Sequence, residues 1–174
     1  MSEIVQPHFK KLWNTKCPYI IALGGRGSFK SSTISLKLVR KMKSFTSRGL
    51  KVNAVSFREN QAYLRDSVYA QIVWALNMLD LADEYDFRTS PLRILHRRTG
   101  SGFYFYGVND PQKLKSNTIG NVIALWYEEA ANFDSYEVFD QVNPTFIRQK
   151  SDFVAYVPVY YSYNPPKNPY AWIN

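Results

Sequence analysis

Apolar positions divide this chain into segments with different rhythms. Tyr19-Ile20-Ile21-Ala22-Leu23 is an unbroken apolar run closed by Gly24-Gly25, the pattern of a short buried strand. From Ser31 to Phe45 the apolar residues Ile34, Leu38, Met42 and Phe45 recur at helical spacing, which predicts a helix with one buried face. Gly49 supplies a helix stop, and Val52–Phe57 predicts a second strand. Asn60 is placed to cap a second helix along Leu64, Val68, Ile72, Ala75 and Leu79. Strand, helix, strand, helix in that order predicts an α/β fold with a mainly parallel central sheet flanked by helices. Ahead of it, Phe9, Leu12 and Trp13 predict a short helix docked on the core.

The second half changes style. Leu92–Arg97 and Phe103–Tyr106 flank Thr99-Gly100-Ser101-Gly102 and predict a β-hairpin insertion. Gly107 to Gly120 reads as a loop whose lysines, Lys113 and Lys115, either touch phosphate or are simply solvated. Val122–Tyr127 is a continuous apolar run, as suits a central strand covered on both faces. Asp134–Val142 predicts a short helix. Pro158 cannot donate to a sheet ladder, so the β-rich stretch near it divides into strands at Phe153–Val157 and Val159–Tyr163.

Chemistry concentrates where these elements meet. The segment Gly24-Gly25-Arg26-Gly27-Ser28-Phe29-Lys30-Ser31-Ser32 joins the first strand to the first long helix. A glycine-rich loop ending in Lys-Ser at a helix start cradles a nucleotide's phosphates. Backbone N–H groups face the anion, Lys30 reaches the outer phosphates, and the Ser31 hydroxyl ligates Mg²⁺. Phe29 stands where the phosphate-loop template has its last glycine, so its side chain has to point away from the phosphates. The apolar run 122–127 ends in Glu128-Glu129, at the sheet edge where α/β proteins bind ligands. One carboxylate can hold Mg²⁺ while the other orients and deprotonates a water; capping of a following helix is the plainer alternative.

Charge narrows the partners. Of 174 residues, positions 1–51 hold eleven Lys/Arg against one acid, Glu3, a net +10; positions 52–174 hold eleven bases and thirteen acids, a net −2. Basic character therefore gathers around the loop and its helix, at Lys37, Arg40, Lys41, Lys43 and Arg48. Such a surface favours nucleic acid, or is a solvated helix face beside a nucleotide site. No apolar run has membrane-spanning length, no signal-peptide pattern opens the chain, and the single Cys17 excludes an internal disulfide.

GGRGSFKSS, NDPQKLKS, LWYEEA and the terminal SYNPPKNPYAWIN together resemble the large terminase subunit of tailed bacteriophages, over nearly the whole chain. The resemblance implies a phosphate-loop NTPase of the additional-strand, catalytic-glutamate type, here a single ATPase domain over 1–174 without the lid and C-terminal nuclease of that family. It implies ATP and Mg²⁺ as cofactors and double-stranded DNA as the translocated partner. By the same likeness Gly24 to Ser32 bind nucleotide, Ser31 and Glu128 hold the metal, and Lys30 and Glu129 are catalytic. Asn164, with Ser162, lies in a motif coupling the γ-phosphate to movement. Arg26 matches an arginine finger acting in cis; a neighbouring subunit's arginine, or a surface role for Arg26, stays open. The likeness further implies a small terminase subunit and a portal protein as partners, no membrane, an oligomer in the working motor and a monomer in isolation. Its place is the host cytoplasm, at the procapsid portal. A helicase-like translocase and a nucleotide-gated assembly module with negligible turnover alone are the alternatives.

Overall fold

The computed structural model describes residues 5–109 and 111–174, with the side chains of Gln112 and Lys113 outside the description. A seven-stranded sheet runs through the molecule in the order β1-β7-β6-β2-β5-β4-β3. The strands are β1 (Tyr19–Leu23), β2 (Asn53–Arg58), β3 (Tyr85–Thr89), β4 (Leu92–His96), β5 (Gly102–Gly107), β6 (Val122–Glu128) and β7 (Val159–Tyr163). β1, β7, β6, β2 and β5 are parallel, and β4 and β3 continue antiparallel. Strand β7 lies between the strand that feeds the glycine-rich loop and the strand that ends in the two glutamates, as the additional-strand reading requires.

Helices α2 (Lys30–Thr46) and α3 (Ala70–Met78) pack on one face, and α5 (Glu137–Ile147) packs on the other. The expected apolar face of α2 is the buried one: Ile34, Leu38, Met42 and Phe45 all lie in the core. Gly49, at φ +76°, ends the helix; its N–H donates to the Thr46 carbonyl. All seven residues of β6 are buried, which explains its unbroken apolar sequence. Leu12 on short α1 (Lys10–Asn14) and Phe9 in the 3-10 turn just before it (Pro7–Phe9) both sit on the core, as their spacing foretold.

Tertiary context corrects several readings. β1 is an edge strand, so it buries Ile20 and Ala22 but leaves Tyr19, Ile21 and Leu23 exposed; the run is only half-buried. β3 escaped notice because it is polar and exposed except at Tyr85. Phe153–Val157 forms turns and bends instead of a strand. Phe153 and Tyr156 are exposed there, and no ladder partner exists for them among the described residues. The segment 107–120 contains a single helical turn, α4 (Pro111–Leu114). Asp110 and the Lys113 side chain fall outside the described residues; Lys115 is exposed. The helix expected at 134–142 lies further on, and α5 continues past Pro144. The proline withholds only one N–H, whose acceptor would be the carbonyl of the exposed Asp140. The predicted second helix is tighter, then wider, before it becomes regular: a 3-10 turn (Gln61–Tyr63), a π turn (Arg65–Tyr69), then α3. Asn60 does cap its start, its Oδ1 accepting from the Ala62 N–H.

Candidate nucleotide site

The loop after β1 turns back over the sheet's carboxyl edge and delivers α2 N-terminus first. Gly24 must lack a side chain: a Cβ there would stand 2.8 Å from the Ser28 hydroxyl oxygen, inside the cradle. Gly27 takes φ +74° and Phe29 takes φ +62°, the left-handed conformation a glycine would adopt more cheaply. The Phe29 phenyl is 56% exposed, so the loop keeps its path while the ring stands in solvent. No side chain caps α2, leaving the N–H groups of its first turn, from Lys30, Ser31 and Ser32, free for an anion.

Lys30 is almost fully buried, and its Nζ donates to Asn164 Oδ1 at 2.7 Å and to the Gly25 carbonyl at 3.4 Å. The same Asn164 amide donates through Nδ2 to Glu129 Oε1 at 3.1 Å. One side chain from the end of β7 thus ties the phosphate-loop lysine to the second glutamate. Burial lowers the Lys30 pKa, and the nearby Glu129 and Glu128 oppose that shift.

Glu128 closes β6, and Glu129 takes the left-handed conformation (φ 53°) that turns the chain sharply across the sheet edge. The Glu128 carboxylate is buried and paired through Oε2 with the Arg58 guanidinium from the end of β2. Burial raises the Glu128 pKa, only partly offset by Arg58. The sequence pattern offered Arg26 as the arginine finger and did not single out Arg58, which follows the expected strand Val52–Phe57. The signal it missed was position: the last residue of a parallel strand faces the same edge as the glutamates.

Arg26, Arg58, Glu129, Asn164 and Lys167 line a cleft of about 810 Å³ beside Gly25. Ser28 Oγ and Arg58 Nε are buried without a hydrogen-bond partner, two polar atoms that a bound phosphate could satisfy. Ser31 and Glu128 offer hard oxygen donors. Mg²⁺ takes such oxygens together with a ligand's phosphates; among the described residues no cluster of three His, Cys, Asp or Glu offers a cage of its own. Ser162 points elsewhere: its buried hydroxyl accepts the Trp126 indole N–H at 2.9 Å. Behind the edge, Tyr127 stacks on Phe57 and Tyr161, and Asn143 joins the two tyrosine hydroxyls, stiffening the strands that carry Glu128 and Asn164.

The family profile described as phage terminase large subunit matches residues 16–174. The chain is 29% identical to the terminase large subunit of Bacillus phage SPP1 over its full length, but spans 42% of that protein. Among solved structures it resembles the large terminase of a thermophilic bacteriophage at TM-score 0.66 and 18% identity, covering 91% of this chain and 36% of that one. That terminase is also known in complex with ADP. The N-terminal domain of the DNA packaging ATPase from bacteriophage phi29 superposes at TM-score 0.62 and 18% identity, covering 97% of this chain and 84% of that domain.

Proposed function

The chain belongs to the phage terminase large subunit family, and from that premise we propose that it hydrolyses ATP to drive double-stranded viral DNA into a procapsid. The observation that carries this reading is Asn164, which touches the phosphate-loop lysine and the Glu129 carboxylate just past the end of β6 at once. A group so placed senses whether a γ-phosphate has entered between them, and its strand carries the signal into the sheet.

In this reading Gly24 to Ser32 enclose the phosphates, Lys30 exchanges Asn164 for the outer phosphate oxygens, and Glu129, once released, takes a proton from the attacking water. Ser31 and Glu128 would hold Mg²⁺, which neutralises charge on the phosphates. Arg26 and Arg58 stand on the cleft wall as candidate cations for charge developing in transfer. The chain is read as a single ATPase domain. The small terminase subunit and the portal are its proposed partners, at the procapsid in the host cytoplasm. Turnover of the isolated, monomeric chain is expected to be slow, because a lid and neighbouring subunits close such sites.

The test is ATP binding and phosphate release by the wild-type chain, Glu129→Gln and Asn164→Ala, with and without duplex DNA. Glu129→Gln should keep ATP bound and lose roughly two to four orders of magnitude in hydrolysis. Asn164→Ala should also keep ATP bound but turn over more slowly. Normal hydrolysis by Glu129→Gln would refute its role as base. A rate per chain that rises with protein concentration would place the arginine finger on a neighbour and remove Arg26 from that role.

A further inference from the structure

A second concentration of cations lies at the opposite, amino edge of the sheet, where nothing in the nucleotide reading uses it. The second half of α2 meets the chain before β1 and the residues leading into β7 around a pocket of about 430 Å³. Lys37, Arg40, Lys41 and Lys16 line it, and no Asp or Glu does. Lys37 donates to the carbonyls of Leu12 and Thr15, both at 2.9 Å, and Lys41 donates to the Ile123 carbonyl at 2.9 Å. An ammonium carries three N–H donors, so one on Lys37 and two on Lys41 are left over. Backbone carbonyls orient these charges without neutralising them. Burial, with the Lys37 charge second, lowers the Lys41 pKa to about 8, the condition of a cation that lacks its anion.

The pocket offers charge and little stacking surface. The Trp13 ring is covered by the Arg40 guanidinium at 5.5 Å, and Tyr160 is buried beneath Lys37. The exposed Tyr156, whose hydroxyl donates to the Lys16 carbonyl, is the one further ring on the pocket wall, so a ligand here is held mainly by its phosphates, without a ring face for each base. Lys11, exposed on the same N-terminal segment and outside the pocket lining, extends the positive surface beyond the footprint of one phosphate. That extension suits a polyanion better than a single free ion.

We propose that this amino-edge pocket is a second phosphate site, and that its ligand is the backbone of duplex DNA. The proposal rests on the packaging reading above and adds to it the surface where the duplex is held, remote from the nucleotide. Binding there is independent of sequence and steeply dependent on salt.

The experiment titrates a short fluorescent duplex into the 174-residue chain across a salt series, with fluorescent ATP measured in parallel. Each phosphate contact contributes about 0.9 to the slope of log affinity against log salt, so Arg40→Gln/Lys41→Met should lower that slope by nearly 2. Arg40→Gln alone, a change at an exposed position, should lower it by about half as much and guards against misfolding of the double variant. ATP affinity should not change in either. Arg65→Gln/Arg88→Gln removes the same number of charges from exposed positions away from the pocket and should leave the slope intact. An equal loss in that control, no duplex binding by the wild type, or pocket-dependent binding of pyrophosphate but not duplex would each overturn the proposal. Failure of ATP binding in the wild type would instead sink the packaging reading, so the two cannot be confused.

Discussion

The two edges of the sheet both gather lysine and arginine, and they treat them in opposite ways. At the carboxyl edge each buried cation has a carboxylate within reach: Arg58 is paired with Glu128, and Lys30 is linked to Glu129 through Asn164. At the amino edge, among the described residues, Lys37 and Lys41 hydrogen-bond backbone carbonyls and meet no carboxylate, with Lys37 also over the Tyr160 ring. Under the proposed function the first arrangement works as a switch, because an arriving phosphate must displace existing partners. The second leaves charge without a carboxylate partner, and under the second-site proposal an anion binds it without displacing any. Net charge along the chain does not distinguish them, since Lys30, Lys37 and Lys41 lie on one helix. What differs is the strand end each side chain meets.

The sharpest way to break the comparison is to remove the carboxyl-edge lysine. Lys30→Ala should abolish ATP binding while the chain stays folded, measured by fluorescent nucleotide titration and circular dichroism. Retained wild-type affinity would show that this edge is not the phosphate cradle.

Next in size is Arg58→Ala, which leaves the Glu128 carboxylate buried and unpaired. Loss of one partner of a buried pair costs about 3 kcal/mol. The sign of its pH dependence follows from the raised Glu128 pKa. The folded state then binds that proton more tightly than the unfolded chain does. The deficit should therefore be small below the ordinary carboxylate range and grow as pH rises through the folded-state value. Denaturation of variant and wild type at acid and neutral pH checks it; a deficit that shrinks with rising pH would contradict the pairing.

At the amino edge, Lys41 gives a pH signature of opposite origin. Between about 8 and 10 the unfolded chain keeps the Lys41 proton that the folded chain has released, so wild-type stability should rise with pH in that window. Above it, buried Tyr85 and Tyr160, whose pKa values burial raises, oppose the trend. Lys41→Met should flatten the rise. An unchanged slope would mean that Lys41 carries no strain of burial.

The smallest effect belongs to Phe29→Gly. It relieves about 1–2 kcal/mol of left-handed strain and gives back part of that through the freer unfolded chain. A net gain of about 0.5–1 kcal/mol with unchanged ATP affinity is expected from thermal melts. A weaker nucleotide affinity would mean that the ring, though exposed, contributes to the site.

Much of this was legible because it is local. A glycine-rich loop between an apolar run and a helical repeat has one backbone solution, and Gly24, Lys30 and Ser31 carry it wherever they occur. The unbroken apolar run of β6 predicted a strand covered on both faces, as found, and the parallel order placed Glu128-Glu129 at the sheet's carboxyl edge. Burial of Ile34, Leu38, Met42 and Phe45 follows from helical spacing. The resemblance added Asn164 to the site, which no local pattern would have singled out.

Tertiary structure decided the rest, because it turns on which strands become neighbours. Only the order β1-β7-β6-β2 brings Asn164 between Lys30 and Glu129 and lays Arg58 against Glu128. The edge position of β1 exposes Ile21 and Leu23, whose apolar character alone predicted burial. Among the described residues no strand lies beside Phe153–Val157, which cancels a segment of strong β propensity. Charge was countable from the sequence, yet its neutralisation was not. A cation's energy depends on the group a few ångströms away, and that group comes from a distant part of the chain.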